Sequence, residues 1–432
     1  MKNISSVIGF TCFFLLMVLS KAYSYNFKET SLQPFQLHDG DRVVFLGNSL
    51  MEDDQRYGYI EFALTTRWPD SDVTYRNLGW SGDNVFGKAR SYYTPNPGPY
   101  KLMIQQLKDA NPNVVFIAYG AVESYKGKKG LPHFRKGLNQ LIDKIDSIGA
   151  KSVLLSPLPQ MDKRTSIENL NAHNNELENY TSAISDIASQ RNLRFIDLFT
   201  PIKHLNNKVG LTTDGIHLNE MGYYYLTSLI SSGLDLPKRN WSIEINLSNG
   251  KVNTKGAEVS ILKMDNDKTQ FQVKDHYLPL PAPPLTQDLE VRLPPLGQNF
   301  NKSVPPFIEK QVGDAHRIKI TGLKKGCYSL MVDGAQAASA SAKEWAQGVV
   351  IHDGTSFRQA MQLRYKILEK NKQFFHQYRP LNRTYLIGFR TYEQGQNYKE
   401  LKELDMFIRR LEEQIAELRV PQKNDYQVVA VK

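Results

Sequence analysis

Five short apolar runs, each followed by a segment of helical spacing, constrain residues 40–235 more than any other feature of the chain. The runs are Asp41-Arg-Val-Val-Phe-Leu46, Asp72 to Leu78, Val114-Val-Phe-Ile-Ala-Tyr119, Lys151 to Ser156 and Leu193 to Phe199. Helical spacing falls on Tyr57–Trp68, Leu102–Ala110, Leu131–Ile148, Asn169–Gln190 and Glu220–Ser231. Pro69, Asn111-Pro112 and Gly149 punctuate the helix ends. Strands that read as continuous apolar runs are buried on both faces, and helices between them supply right-handed crossovers. The expected fold is a three-layer α/β/α sandwich around a five-stranded parallel sheet. In such sheets ligands bind beyond the carboxyl ends of the strands.

The rest of the chain reads differently. Lys2, the apolar run Ile8–Leu19 and the small-x-small site Ala22-Tyr23-Ser24 have the form of a secretory signal peptide over residues 1–24. Cleavage would remove Cys12 and leave Cys327 with no partner for a disulfide. An exported protein, periplasmic or extracellular, is expected, without stable membrane insertion after cleavage. No later stretch is apolar enough to span a bilayer. The net charge of +10 is spread along the chain, and no Lys/Arg block points to nucleic acid. Residues 25–236 form the expected α/β domain. Residues 237–354 alternate like strands and contain a proline-rich linker at 278–306, so they read as a β-rich module. Residues 355–432 read as a helical C-terminal region. There Leu401, Leu404, Ile408, Leu411, Ile415 and Leu418 form a heptad-like stripe, too short for a free coiled coil and expected to pack on the protein's own body.

Chemistry gathers at the carboxyl ends of the strands. Ser49 follows the first run, at the rim where ligands bind. A serine there can simply cap a helix, and its hydroxyl is a weak nucleophile unless a base removes the proton. Asp214-Gly-Ile-His217, after the fifth run, offers that base, with a carboxylate three residues away to hold the imidazole tautomer. Leu78-Gly-Trp-Ser-Gly-Asp83 follows the second run, and the Gly82 N–H is a candidate oxyanion donor. Tyr119-Gly-Ala-Val-Glu123 follows the third.

Together these blocks resemble the SGNH (GDSL-type) hydrolases over about residues 38–235. The resemblance implies a flavodoxin-like sheet and ester hydrolysis by a Ser-His-Asp triad. Gly47-Asn-Ser-Leu50 is similar to the nucleophile block, with Asn48 where the family carries aspartate. Gly82 matches the second block's glycine, and Asp214-Gly-Ile-His217 matches the last block. Ser49, Asp214 and His217 are thereby implied as the triad, with the Ser49 and Gly82 backbone N–H groups in the oxyanion hole. Val122 occupies the position of the family's oxyanion asparagine and offers no side-chain donor. Asn48, Asn84 and Glu123 are the candidate substrate-binding residues. Asn77-Leu-Gly-Trp-Ser-Gly-Asp83 and Arg379-Pro-Leu-Asn-Arg-Thr-Tyr-Leu-Ile-Gly-Phe-Arg390 are similar to a secreted bacterial subgroup with a C-terminal extension.

The leading functional reading is an exported serine ester hydrolase acting on carbohydrate or related small-molecule esters, with no cofactor and no metal. The competing reading is an impaired SGNH-fold protein that binds glycans or acts as a scaffold, motivated by Val122. A metal-dependent phosphoesterase is disfavoured, since neither H-x-H nor H-E-x-x-H occurs.

Overall fold

The computed structural model describes residues 33–91, 97–161, 164–206, 210–264, 268–283, 316–380, 390, 392 and 400–431. The expected signal segment, the proline-rich stretch beyond residue 283 and residues 381–389 lie outside them. Residues Pro34–Lys432 pack as one unit.

The apolar runs become β1 (Arg42–Gly47), β2 (Thr74–Asn77), β3 (Val114–Ala118), β4 (Lys151–Leu155) and β5 (Arg194–Ile196). Every pairing is parallel and the order is β2-β1-β3-β4-β5, the flavodoxin-like arrangement. Side chains alternate across each strand. Val43 and Phe45 of β1 therefore join a core on one face, and Val44 and Leu46 join a second core on the other. The first face is covered by α1 (Ser49–Tyr57), α2 (Tyr59–Thr65) and α7 (Glu220–Gly233), and α6 (Phe199–Asn206) lies beside them. The second is covered by α3 (Pro99–Ala110), α4 (Gly127–Ser147) and α5 (Ile167–Arg191).

The single helix expected over Tyr57–Trp68 is resolved differently. Gly58 ends α1 in the left-handed region, and α2 begins after it. The earlier helix carries no apolar stripe, because its buried residues are Met51, Asp53 and Asp54. Asp54 accepts the Tyr59 and Ile60 N–H groups at 3.2 and 3.3 Å, capping α2, and burial pushes its carboxyl up to about 7.

The β-rich module is a two-sheet sandwich. One sheet has the order β13 (Val349–Ile351), β10 (His316–Thr321), β6 (Trp241–Asn246), β7 (Val252–Lys255). The other runs β12 (Ala335–Ser341), β11 (Cys327–Val332), β14 (Lys423–Ala430), β9 (Lys268–Asp275), β8 (Ala257–Met264). Trp241, Phe271, Ile318, Leu330, Tyr426 and, on the short helix α8 (Ala342–Gln347), Trp345 lie in the core between them. Residues 355–432 are thus not helical throughout. Asn424, Tyr426 and Val428 are buried at every second position, and β14 returns to the module between β9 and β11. Its alternation is a strand period that the preceding helical stripe overshadows in the sequence.

Before that strand, α9 (Thr355–Tyr378) and α10 (Glu400–Leu418) pack on one another and along the β2 edge. Ile408 and Ile415 of the stripe are 1% and 5% exposed and enter the two sheet cores. The edge strand β2 is thereby covered, which removes a template for unwanted pairing. Lys370 of α9 donates to Glu61 Oε1 at 2.6 Å and to the Tyr75 carbonyl at 2.9 Å, fully buried. Arg76 of β2 pairs with Glu412 of α10. Removing one member of a buried pair leaves an uncompensated charge, at a cost of about 3–5 kcal/mol. Lys370→Ala should show a loss of that order in urea unfolding. Combining Lys370→Met with Glu61→Met should restore most of it, since the stranded carboxylate is gone as well.

Candidate active site

Sheet order fixes the site. β1 is followed by a crossover to β2 on one side, and β3 lies on its other side, so a crevice opens between the ends of β1 and β3. Ser49 is the first residue of α1 and stands at that crevice. Asn48 caps the helix, its Oδ1 accepting the Leu50 N–H at 3.2 Å. Tyr223 of α7 donates its hydroxyl to the Leu50 carbonyl at 2.8 Å, which ties this turn to the helix after the last strand. Among the described residues, the Ser49 N–H has no acceptor.

Asp214 and His217 lie on a tight loop closed by pairing of Thr212 with Leu218 and by a Thr213 N–H to His217 carbonyl bond at 3.0 Å. Gly215 turns the chain with φ 89°, a conformation that residues with a side chain rarely adopt. Asp214 Oδ1 accepts the N–H groups of Ile216 and His217 at 2.9 and 2.8 Å, and Oδ2 lies 2.7 Å from His217 Nδ1. Burial pushes the Asp214 carboxyl upward, but the backbone and ring hydrogen bonds of His217 outweigh it, and the group sits well below the usual carboxylate range. An ionised carboxylate only accepts hydrogen bonds, so Nδ1 carries a proton and Nε2 is the free acceptor of the neutral ring.

Ser49 and His217 line one pocket of about 110 Å³, together with Asn48, Leu50, Asp53, Ala118, Ala121 and Val122. No hydrogen bond joins Ser49 Oγ to His217 among the described residues. Catalytic contacts of this kind are often long without substrate. Of the sequence candidates, Ser49, Asn48, His217 and Val122 share this pocket, and Asp214 holds the ring from behind.

The other candidates lie elsewhere. Gly82 is exposed in a turn and does not line the pocket. Asn84 does not reach it either, because its Oδ1 accepts the Phe86 and Lys88 N–H groups and caps a short turn. Glu123 is buried, and its carboxylate accepts the Val85 and Gly120 N–H groups, both at 2.9 Å, bracing the loops after β2 and β3 against each other. Burial raises its pKa, with those backbone bonds acting in the opposite sense. The sequence reading passes over Asp53, Tyr125, Gln160 and Ile216, all of which line the pocket. Asp53 was accessible in principle, since four residues after Ser49 on a helix is the same face. Burial raises its carboxyl pKa, with Arg56 and then His217 opposing.

Residues 45–225 match the family described as GDSL-like Lipase/Acylhydrolase. Among solved structures, a gut microbial diltiazem-metabolizing enzyme is similar over 92% of this chain and 99% of its own, with TM-score 0.67 and 18% identity. An acetylxylan esterase from Geobacillus stearothermophilus matches 47% of this chain and 98% of its own, with TM-score 0.38 and 14% identity. Another acetyl xylan esterase matches 44% of this chain and 98% of its own, with TM-score 0.36 and 20% identity. No curated protein matches in sequence.

The first of these structures also spans the C-terminal extension, and in this chain the extension touches the loop after β2. Gly79 is pressed against α1, where any Cβ would lie 2.2 Å from the Glu52 nitrogen. The Trp80 N–H donates to the Gly47 carbonyl at 2.9 Å, beside the end of β1. From the outer side, Tyr378 donates to the Gly79 carbonyl at 2.8 Å. The Arg379 guanidinium stacks 4.0 Å above Trp80 and binds Glu52 at 3.0 Å, and Glu52 also accepts the Ser81 N–H. The loop is therefore clamped between α1 and the end of α9. Arg379→Ala should raise amide hydrogen exchange at Trp80–Asp83 by about tenfold and leave β1 unchanged, as removal of a local clamp would. Exchange that rises equally across the sheet would mean that Arg379 supports global stability instead.

Proposed function

Since residues 45–225 belong to the GDSL-like lipase/acylhydrolase family, we propose that this ester hydrolase uses Ser49 as nucleophile, His217 as base and Asp214 as the group that orients the base. One observation carries the reading: Ser49 and His217 line the same pocket while Asp214 holds the imidazole Nδ1 at 2.7 Å. Ser49 Oγ attacks the ester carbonyl as His217 Nε2 takes its proton. The tetrahedral oxyanion is met by backbone N–H groups, that of Ser49 among them. Collapse expels the alcohol, protonated by the imidazolium, and leaves an acyl-serine. Water, activated by the same histidine, then releases the acid.

We infer export from the leader-like features at Lys2, Ile8–Leu19 and Ala22–Ser24. Acyl groups on extracellular carbohydrate are the substrates proposed for an exported enzyme with an accessory β-module, a choice that rests on analogy at the level of family.

A fluorophosphonate probe should label wild-type protein at Ser49 and leave Ser49→Ala unlabelled. No label on either would remove the hydrolase assignment of this site. Because Asp214 lies far below the usual carboxylate range, it stays ionised across the working pH. Asp214 should therefore add no protonation step to log kcat/KM across that range, and an Asp214 carboxyl signal that titrates there in 13C NMR would contradict this. His217→Ala should lose nearly all activity and Asp214→Asn should retain part of it.

Val122 lines the pocket and supplies an apolar surface where an asparagine amide would donate. The loss of one oxyanion donor typically costs about 10²–10³ in turnover. Val122→Asn should raise kcat for short acyl esters at least about tenfold with little change in KM, since the donor acts mainly in the transition state. This observation also supports the second reading, an impaired hydrolase that binds glycans. A wild type that binds acetylated oligosaccharide without turnover, and gains turnover in Val122→Asn, would favour it. No gain in an active wild type would mean that the backbone donors complete the hole.

A further inference from the structure

The pocket has a small closed end and a built mouth. Its volume of about 110 Å³ is well below the roughly 300–1,000 Å³ that drug-sized ligands occupy, so only a short acyl group fits inside. Ala118 and Leu177 of its lining are buried. The alcohol half of the ester must leave to solvent while the acyl group stays on Ser49, which places the alcohol at the mouth.

Tyr125 and Ile216 stand there, 67% and 40% exposed. Single exposed apolar residues are ordinary on protein surfaces. Tyr125 differs in being held on two sides. Its ring lies 4.4 Å from that of His173, at 31°. Its hydroxyl accepts from Gln160 Nε2 at 2.5 Å. Gln160 is itself pinned by the buried Asn174, which accepts the Gln160 N–H at 2.8 Å and donates to its carbonyl at 2.9 Å. Beneath the tyrosine, His173 has a ring nitrogen 3.5 Å from Ser124 Oγ, and Ser124 donates to the Ala121 carbonyl at 2.7 Å. Burial lowers the His173 pKa, with Glu176 opposing, so this support stays uncharged near neutral pH. An aromatic side chain fixed before binding loses little conformational entropy when a ligand docks on it. One face of the ring rests on His173 and the other is open.

Resting on the hydrolase reading above, we propose that the open face of Tyr125, at the pocket mouth that Ile216 also lines, is a stacking subsite for a ring on the alcohol side of the ester. The subsite selects esters of ring-bearing alcohols over those of small open-chain alcohols. Both a pyranose, through its C–H face, and an aryl group offer the required flat apolar surface.

The test is steady-state kinetics of wild type, Tyr125→Ala and Tyr125→Phe on three acetates: ethyl acetate, benzyl acetate and an acetylated methyl xylopyranoside. Tyr125→Ala should lower kcat/KM on a ring-bearing acetate about fivefold to tenfold, mostly through KM, and change ethyl acetate hydrolysis less than twofold. Tyr125→Phe keeps the ring and its contact with His173 but loses the Gln160 bond, so it should fall between wild type and Tyr125→Ala on the ring-bearing acetates. Loss on the xyloside alone assigns the subsite to sugars, and loss on benzyl acetate alone assigns it to aryl alcohols. Equal losses on all three acetates, or none, would overturn the subsite while leaving the hydrolase intact. A wild type inactive on all three would overturn the hydrolase reading and the subsite with it.

Discussion

The pairing of β1 between β2 and β3 is the constraint on which the site depends. Val43 to Leu46 are at most 1% exposed, which only a strand covered on both faces can satisfy. Two layers of helices follow from that burial. The register Gly47 to Ala118 then sets the ends of β1 and β3 side by side, and the chain must diverge from there to α1 on one side and to the Gly120–Glu123 turn on the other. Ser49, Ala121 and Val122 meet at one pocket because of that register, with no need of direct contacts among their side chains. The Trp80 N–H on the Gly47 carbonyl brings the third loop to the same strand end.

Legibility in the sequence followed the length and cleanness of each signal. β1, β3 and β4 were readable as dense apolar runs, β2 and β5 as short mixed segments between helical stretches, and the long helices because their stripes persist over several turns. α1 was not, since its buried positions include Asp53 and Asp54, carboxylates that a hydrophobicity pattern counts as exposed. β14 was missed for another reason. Eight residues with alternating burial carry little weight beside the stripe of α10. At the candidate site, Ser49 and His217, which the sequence offers as blocks at strand ends, line one pocket, and Asp214 lies on the imidazole. Glu123 was placed near the right strand but given the wrong surroundings: sequence cannot tell a carboxylate that faces a pocket from one that braces two loops through backbone N–H groups. Tyr125 and Gln160 had no motif, because their relation is a contact between the segment after β3 and the segment after β4.

The extension is bound to the hydrolase domain by chain connectivity as well as by contacts. The path leaves α7, builds the first part of the sandwich, crosses back as α9 and α10 over β2, and returns as β14 to pair with β9 and β11. Neither sheet edge nor sandwich is complete without the helices between them. Arg239, just ahead of β6, donates to the Ala63 carbonyl and Thr66 hydroxyl of the α2 end at 2.6 and 2.7 Å and to the Leu278 carbonyl at 3.1 Å. Leu278 and Leu280 enter the same core as Phe45 and Tyr59. A chain ending near residue 236 would therefore leave Glu61 without Lys370, β2 without its cover, and the loop around Trp80 without Tyr378 and Arg379. The accessory region thus supports the β2 edge of the sheet and the loop that follows β2.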